Sequence, residues 1–326
     1  MEKVLVTGAD GFVASFVCEY LLERGCDVVG LVKRNSGCIL KNIKHLENEM
    51  QIIWGDIDDS SLMLRITRGV DVIFHLAAQS HVAYSLVNPE ETFLQNTIGS
   101  FYVLEAARFN TVRRVIHAGS AEVYGGLEDK PLDEDSSLMP RSSYAAGKVA
   151  VDRLMYSYWC SYKTPVVMSR FFGIYGPRQS FEKAVPKFIH QFVRNLPVTV
   201  YGEGNQTRDF MYVTDCAQAY GKLGLDASDE VLGQVINIAA GNRVTVRDIA
   251  TTIRSLLPEF GIQTRSELTF DHHLRPGEAP YLFCEPRALR KYIDWKPTIT
   301  FKDGMRKTIE YYLEHLGRID LVGSRY

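Results

Sequence analysis

A short apolar strand, followed at once by a glycine turn and an amphipathic helix, opens the chain and constrains its fold most. The strand is Val4-Leu5-Val6, and the turn after it carries Gly8 and Gly11. Apolar residues then recur with a helical period as far as Leu21, and Gly25 is expected to end the helix. Gly8 would permit the tight turn, and Gly11 would let a pyrophosphate approach the amino terminus of the helix. This unit therefore predicts an α/β chain with a dinucleotide site at its first turn.

Further strands and helices alternate along the first half of the chain. Apolar runs predict strands at residues 28–32, 52–54, 70–76 and 115–118. A helix that includes Phe93 and Leu104 precedes the last of these strands, so βα units follow one another. The alternation predicts a doubly wound parallel sheet that binds ligands at the carboxyl ends of its strands. The second half is less regular, with a strand predicted at 234–238 and helices at 187–195, from 245 onward and at 301–315.

The residues after the second strand bear on the choice of cofactor. A chain that binds NAD is expected to place a ribose-binding acid there, whereas this chain has Lys33-Arg34-Asn35-Ser36. Two cations beside amide and hydroxyl groups suit a 2′-phosphate, which favours NADP over NAD. A solvated basic turn is the alternative interpretation. The other cofactor contacts are expected on the glycine turn and after the third and fourth strands, at Asp10, Phe12, Val13, Asp56, Ile57, Leu76, Ala77 and Ala78.

Tyr144 and Lys148, four residues apart, are the strongest catalytic candidates. This spacing puts both side chains on one face of a helix, where the ammonium would lie near the phenol and lower its pKa from about 10. Ser120 follows the apolar run 115–118, so its hydroxyl is expected at the carboxyl end of that strand. The alternative is that Tyr144 and Lys148 are simply exposed helix residues.

Composition narrows the remaining classes of function. The 326 residues are 46% apolar and 23% charged with a net charge of −2, which gives no electrostatic case for binding nucleic acid or an anionic membrane. The six cysteines contain no Cys-x-x-Cys pair, so neither a metal site nor a disulfide framework is predicted. Since no signal peptide or membrane-spanning apolar run is recognised, we expect a cytoplasmic protein.

Taken together, the motifs resemble the extended short-chain dehydrogenase/reductases that modify nucleotide sugars. The resemblance covers nearly the whole chain and rests on Thr7-Gly8-x-x-Gly11, Asp56, Ala77-Ala78, Asn96, Ser120, Tyr144-x-x-x-Lys148, residues 170–178, Tyr201-Gly202, Arg208-Asp209-Phe210, residues 275–278 and residues 294–297. Residues 28–36 and 78–82 look most like GDP-mannose 4,6-dehydratases, which use NADP. The resemblance implies a Rossmann domain of residues 1–170 with 210–240, and a smaller C-terminal α/β nucleotide-sugar-binding domain of residues 171–209 with 241–326.

The resemblance also implies roles for single residues. Glu122 stands where 4,6-dehydratases carry the base for the C5 proton, and it joins Ser120, Tyr144 and Lys148 as a catalytic candidate. Asn96 and Phe171 would contact the cofactor. The nucleotide sugar would contact Gln79, Ser80, His81, Ser120, Ala121, Glu122, Gly173, Val185, Tyr201, Arg208, Arg275 and Glu278. Arg208 and Arg275 are assigned to the diphosphate because a guanidinium matches phosphate oxygens, and His81 to positioning.

Ala121 departs from the pattern of the dehydratases. They usually carry an acid, a serine or a similar group before the glutamate, and an alanine cannot donate a proton to the C6 hydroxyl. Three interpretations therefore stay open. The first is a nucleotide-sugar 4,6-dehydratase that forms a 4-keto-6-deoxy product with a tightly bound, recycled cofactor. The second is a 4-epimerase or 4-keto reductase on the same scaffold. The third is a non-catalytic cofactor sensor.

A homodimer is expected from surplus aromatic surface on two helices, at Phe101, Tyr102, Met155, Tyr156, Tyr158 and Trp159.

Overall fold

The structure, a computed structural model, describes residues 1–34, 38–273 and 276–315. Asn35, Ser36 and Arg275, all named above as ligand contacts, lie outside the described residues. The strands are β1 (Lys3–Thr7), β2 (Asp27–Val32), β3 (Gln51–Trp54), β4 (Val72–His75), β5 (Arg114–Ser120), β6 (Val166–Phe171), β7 (Gly173–Tyr175), β8 (Val198–Tyr201), β9 (Thr207–Arg208), β10 (Phe210–Tyr212), β11 (Val235–Ile238), β12 (Val244–Thr245), β13 (Leu268–Asp271) and β14 (Tyr281–Leu282). The α-helices are α1 (Phe12–Glu23), α2 (Ser60–Ile66), α3 (Val82–Val87), α4 (Pro89–Phe109), α5 (Ser143–Tyr162), α6 (Ala184–Val193), α7 (Val213–Leu225), α8 (Val246–Leu256), α9 (Arg287–Tyr292) and α10 (Phe301–Glu314).

A sheet of seven strands, in the order β11-β6-β5-β4-β1-β2-β3, forms the centre of the molecule. Each neighbouring pair runs parallel. The chain proceeds from β1 towards one edge and then from β4 towards the other, so the strand order reverses between β1 and β4. One apolar core joins the sheet to α1 and α7, and a second joins its opposite face to α2, α4 and α5. The predicted doubly wound Rossmann fold is confirmed.

The turn after β1 depends on glycine for a steric reason. Gly8 has a φ of +70°, in the region that side chains with a Cβ rarely adopt. A Cβ at this position would lie 2.9 Å from the Cα of Ala77, the second residue after β4. Gly8 therefore lets the first turn pack closely against the end of the neighbouring strand.

The three helices predicted in the second half are present as α6, α8 and α10, whereas α7 and α9 were not predicted. Thr245 and Asp248 form a capping box at the start of α8, in which each side chain accepts the backbone N–H of the other residue. Helix α6 begins at Ala184, three residues before the predicted start. Pro186 lies inside its first turn, where a backbone N–H has no helical partner and a proline is tolerated.

A separate apolar core lies beside the carboxyl ends of the central strands. It joins α6, α8 and α10 to the strand pair β8 and β13, with Phe188, Ile249 and Ile309 fully or almost fully buried in it. The pair β7 and β10 and the three strands β12-β9-β14 connect this part to the large sheet. These elements close the space above the central strands on one side and so form part of the ligand site.

The surplus of aromatic surface on α4 and α5 is smaller than expected. Met155 and Tyr158 pack into the core of the same chain and are 1% and 7% exposed. The apolar residues that do reach the surface of these helices include Phe93, Leu94 and Ile98 on α4 and Tyr156 on α5. The expectation of exposed surface was wrong for Met155 and Tyr158, because these two side chains lie on the face of α5 that packs against the sheet.

Candidate active site

A cavity of about 850 Å³ lies at the carboxyl ends of the central strands, where the strand order reverses. Most of the predicted site residues line it, namely Gly8, Asp10, Gly11, Phe12, Val13, Lys33, Asp56, Ile57, Leu76, Ala77, Ala78, Gln79, Ser80, His81, Ser120, Ala121, Glu122, Tyr144, Lys148, Phe171, Gly173, Val185 and Arg208. Arg34, Asn96, Tyr201 and Glu278 are described but do not line it. Residues that are far apart in the chain thus line one cavity.

The amino terminus of α1 forms the wall of this cavity at its dinucleotide end. Gly11 is the N-cap residue, and no side chain caps the helix. The first-turn peptide N–H groups are therefore available to an anion, and the helix dipole favours negative charge there. A Cβ on Gly11 would lie 2.9 Å from the Gly8 carbonyl oxygen, so glycine is needed for this close turn. The geometry fits the pyrophosphate of a dinucleotide.

Two predicted cofactor contacts hold loops in place. The Asp10 carboxylate accepts the backbone N–H groups of Lys41, Asn42 and Ile43, over 3.0, 2.7 and 3.2 Å to Oδ1. The Asn96 side chain accepts from the Gln79 N–H at 2.7 Å and donates to the Gln79 carbonyl at 3.0 Å. Asn96 therefore acts on the cavity by orienting the segment after β4.

The cation that follows β2 is paired with an acid in the loop after β3. Lys33 Nζ lies 2.9 Å from Asp56 Oδ2, and the Ile57 N–H donates to Asp56 Oδ1 at 2.8 Å. Lys33 is 64% exposed, so this pair is readily reached by a ligand. Arg34, the next residue, is exposed beside it.

Ser120, Tyr144 and Lys148 converge in the centre of the cavity wall. Ser120 ends β5, while Tyr144 and Lys148 lie one turn apart at the start of α5. A hydrogen bond joins the Tyr144 phenol to Ser120, and Lys148 Nζ donates to the Ala118 carbonyl at 2.7 Å. All three side chains are buried, so the alternative of two exposed helix residues is excluded.

Burial controls the acidity of this group. It raises the pKa of Tyr144 to about 12, and the Ser120 hydrogen bond acts in the opposite direction. Burial likewise lowers the pKa of Lys148 to about 8, against the raising effect of Asp152. The prediction that Lys148 brings the Tyr144 pKa below about 10 was therefore wrong, because desolvation of the phenolate dominates.

Glu122 lies in the short helical turn after β5, within the same cavity. Burial raises the pKa of its carboxyl group, whereas Arg208, Lys183 and Arg141 act to lower it. A carboxyl group with a raised pKa exchanges protons more readily near neutral pH. Glu122 and Tyr144 are therefore two separate groups with exchangeable protons in one cavity.

Arg208 and His81 both contact acids at the substrate end. Arg208 Nη2 lies 3.7 Å from Glu278 Oε1, and its Nη1 donates to the Thr207 carbonyl at 3.0 Å. His81 Nδ1 pairs with Glu182, and burial lowers the pKa of the imidazole. Arg208 thus forms an ion pair with Glu278 and also lines the cavity.

Sequence reasoning missed Lys183, which also lines the cavity. It directly precedes α6, and its Nζ lies 3.4 Å from the Ser80 carbonyl oxygen. Nothing in the local sequence distinguishes it from Lys187 four residues later. Other cavity residues that were not predicted include Gln95, Phe172, Gln179, Ser180 and Phe210.

A family model described as GDP-mannose 4,6 dehydratase matches residues 5–308. The chain belongs to this family. Among relatives, a dTDP-D-glucose 4,6-dehydratase from Homo sapiens is 33% identical over 321 residues, covering 96% of this chain and 91% of that protein. The predicted membership of the nucleotide-sugar epimerases and dehydratases is confirmed.

Solved structures of this family superpose over almost the whole chain. A dTDP-glucose 4,6-dehydratase from Streptomyces venezuelae, with NAD bound, gives a TM-score of 0.87 at 27% identity and covers 97% of this chain and 98% of its own. A UDP-glucuronic acid 4-epimerase from Bacillus cereus, in complex with UDP-glucuronic acid and NAD, gives 0.87 at 28% identity and covers 96% and 99%. The fold thus accommodates both dehydratases and epimerases.

No helix among the described residues has the length and apolarity needed to cross a membrane. No group of three or more His, Cys, Asp or Glu side chains within the same ranges is arranged to hold a metal ion.

Proposed function

We propose that the protein is a nucleotide-sugar 4,6-dehydratase that converts its substrate to a 4-keto-6-deoxy sugar nucleotide. The observation that carries this proposal is the presence of Glu122 and Tyr144 in one cavity, Glu122 half-buried and Tyr144 buried, and each able to exchange a proton. Dehydration needs two such groups, one for the sugar O4 and one for C5. The dehydratase relatives support the same reaction.

The cofactor is a nicotinamide dinucleotide held at the amino terminus of α1. A bound nicotinamide ring would supply the hydride transfer that oxidises C4 of the sugar and later reduces C6. The first-turn N–H groups would bind its pyrophosphate, and the loop of Asp56 and Ile57 its adenosine half. NADP is the preferred form, because Lys33 and Arg34 stand where a ribose-binding acid is expected for NAD.

Tyr144 exchanges the proton of the sugar O4. The Ser120 hydrogen bond favours its phenolate and offsets part of the effect of burial. Lys148, one helical turn away, supplies a positive charge at pH values below its pKa of about 8. Both effects assist removal of the O4 proton as C4 is oxidised.

Glu122 removes the C5 proton, which becomes acidic once C4 is a ketone. The buried carboxylate is a stronger base than an exposed one, because burial raises its pKa. Arg208, which lines the same cavity, would hold the diphosphate together with Arg275, and this would direct the sugar towards Glu122.

A 4-epimerase or 4-keto reductase is the second candidate. It is favoured by Ala121, which gives no proton donor beside Glu122, and by the epimerase structures of the same fold. Such an enzyme needs Ser120, Tyr144, Lys148 and cofactor but no base at C5. The two candidates therefore differ in what Glu122 does.

The direct test is incubation of the purified protein with a panel of dTDP-, UDP- and GDP-linked hexoses, followed by mass spectrometry. Loss of one water from one of these sugars is expected. A product of unchanged mass but altered stereochemistry would replace the dehydratase with the epimerase. Absence of any product with every sugar and either cofactor would contradict both.

We also propose that the chain is a homodimer with a Rossmann domain of residues 1–170 and 210–240 and a substrate domain formed by the rest. Phe93, Leu94 and Ile98 of α4 and Tyr156 of α5 are 37%, 47%, 42% and 47% exposed, and pairing of the two helices across a dimer would bury them. Light scattering should give twice the mass of one chain. A monomeric mass at micromolar concentration would contradict the dimer.

A further inference from the structure

We propose that Lys183 is the acid that protonates the departing C6 hydroxyl group. This inference rests on the proposed dehydratase function and supplies the donor that Ala121 cannot provide.

Lys183 faces the same space as the C5 base. Its side chain lines the cavity beside Ser80, and its contact with the Ser80 carbonyl is long, at 3.4 Å. Glu122 and Lys183 act on each other electrostatically, each favouring the charged form of the other. Burial lowers the pKa of Lys183, so its ammonium releases a proton more readily than an exposed lysine would.

The other cations of the cavity are poorly suited to this step. Lys148 Nζ donates to the Ala118 carbonyl at 2.7 Å and lies beside Tyr144, where O4 must bind. Lys33 pairs with Asp56 at the adenosine end. Arg208 carries a guanidinium, which does not give up a proton in proteins.

The histidine, serine and glutamine side chains of the cavity are also less suited to this step. Burial lowers the pKa of His81, which disfavours its charged form, and its Nδ1 is paired with Glu182. Ser120 is hydrogen-bonded to Tyr144. Ser80, Ser180 and the glutamines have side chains too weakly acidic to protonate a hydroxyl. Among these lysine, arginine, histidine, serine and glutamine side chains, Lys183 is thus the donor with suitable acidity.

The elimination step balances with these two residues. The Glu122 carboxylate takes the C5 proton, and the electron pair of that C–H bond forms an enolate with the C4 ketone. The enolate then restores the ketone and forms the C5–C6 double bond as the C6–O bond breaks, and the departing oxygen takes a proton from Lys183 and leaves as water. Glu122 returns its proton to C5 when a hydride is added at C6. Over a full cycle Tyr144 has gained the O4 proton and Lys183 has lost one, so one proton returns from Tyr144 to Lys183 through solvent.

The test compares water loss with fluoride loss in Lys183→Met. Fluoride leaves without protonation, so a 6-deoxy-6-fluoro analogue of the accepted nucleotide sugar does not need the acid. We expect water loss to fall about 100-fold or more, as for removal of a general acid, while fluoride release stays near the wild-type rate. Transient cofactor reduction and deuterium uptake at C5 should persist, because C4 oxidation and C5 deprotonation precede the step.

Two more variants complete the test. Lys183→Arg keeps the charge but holds its proton, so it should show the same selective loss of water release with a KM near that of the wild type. Lys187→Met, on the next turn of α6 and not lining the cavity, should behave like the wild type.

Equal slowing of fluoride and water release in both Lys183 variants would overturn the inference, because Lys183 would then only position the substrate. Unchanged water loss in either variant would also overturn it. A wild-type protein that forms no 4-keto-6-deoxy product would instead overturn the proposed function, and this inference with it. The wild-type measurement therefore separates the two failures.

Discussion

Arg170 Nε lies 2.8 Å from Asp152 Oδ2 in an ion pair whose side chains are 1% and 0% exposed. Asp152 follows Lys148 by one turn of α5, and its charge raises the pKa of that lysine. Arg170 also donates to the Tyr124 hydroxyl at 2.8 Å, which donates to Asn237 Oδ1 at 2.7 Å. A buried polar network thus holds in place the helix α5, which carries Tyr144 and Lys148.

Asp152→Ala should destabilise the protein by about 3–5 kcal/mol, because it leaves the Arg170 guanidinium buried and uncompensated. Denaturant unfolding monitored by circular dichroism measures this change. Asp226→Ala is the matched control, since it breaks an Arg24 pair that is 39% and 36% exposed and should change stability by at most about 1 kcal/mol. Equal effects of the two substitutions would show that the buried pair contributes no more than an exposed one.

Tyr144→Phe should lower turnover by about 100-fold or more, because it removes the group that exchanges the O4 proton. The fold should be unchanged, since the ring keeps its packing. Tyr162→Phe, at the exposed end of the same helix, should retain full activity. Steady-state kinetics on the accepted nucleotide sugar measure the turnover of both variants. A Tyr144→Phe variant with wild-type turnover would show that Tyr144 does not exchange the O4 proton.

Glu122→Gln distinguishes the dehydratase from the epimerase. The amide cannot take the C5 proton, so a dehydratase should still reduce its cofactor transiently but should neither lose water nor take up deuterium at C5. Cofactor absorbance and mass spectrometry of the product in deuterated water measure the two events. An epimerase or reductase would keep most of its activity in this variant.

Arg34→Ala should weaken NADP binding by about 10- to 100-fold, because a charge-assisted hydrogen bond to phosphate contributes about 1.5–3 kcal/mol. NAD, which lacks that phosphate, should bind as before. Lys44→Ala removes another exposed cation after β2 and serves as the control. Calorimetric titration with both cofactors is the measurement, and equal losses for the two would favour the solvated basic turn.

Acid should destabilise the protein through His75. Its Nδ1 lies 2.8 Å from Thr7 Oγ1 and its Nε2 2.9 Å from Ser100 Oγ, and burial lowers its pKa from 6.5 to about 3. Below pH 6.5 the unfolded chain therefore binds a proton that the folded chain does not. The contribution of His75 is complete above pH 6.5 and is lost as the pH falls towards 3.

The measurement is urea unfolding of the wild type and His75→Gln between about pH 7 and about pH 5. The stability difference between them should shrink on acidification, at a limiting slope of about 1.4 kcal/mol per pH unit. His117, whose pKa burial also lowers, is present in both proteins and cancels in the difference. A difference independent of pH would mean that His75 titrates alike in the folded and unfolded chains.

Local patterns in the sequence were enough to predict much of the fold. The strand, the glycine turn and α1 follow from the spacing of Gly8, Gly11 and the apolar residues, because such spacing acts within a few turns of chain. Tyr144 and Lys148 were found for the same reason, since four residues return a helix to the same face. Arg275, also named from the sequence, lies outside the described residues.

Tertiary structure decided the chemistry of those residues. The Tyr144 pKa depends on how deeply α5 is buried, which the Tyr-x-x-x-Lys spacing does not encode. Asn96 was predicted as a cofactor contact, but its amide meets the Gln79 backbone because α4 packs beside the end of β4.

The position of Lys183 shows most clearly the difference between short-range sequence patterns and tertiary contacts. The sequence by itself determined the fold class, the glycine turn and the candidates Ser120, Tyr144 and Lys148, whose positions follow from short-range spacing, while Glu122 followed from the family resemblance. Only the tertiary structure brought Lys183 into the cavity with Glu122, sixty-one residues earlier in the chain. Burial and electrostatic coupling depend on distances between segments far apart in sequence, and these distances exist only once the chain has folded.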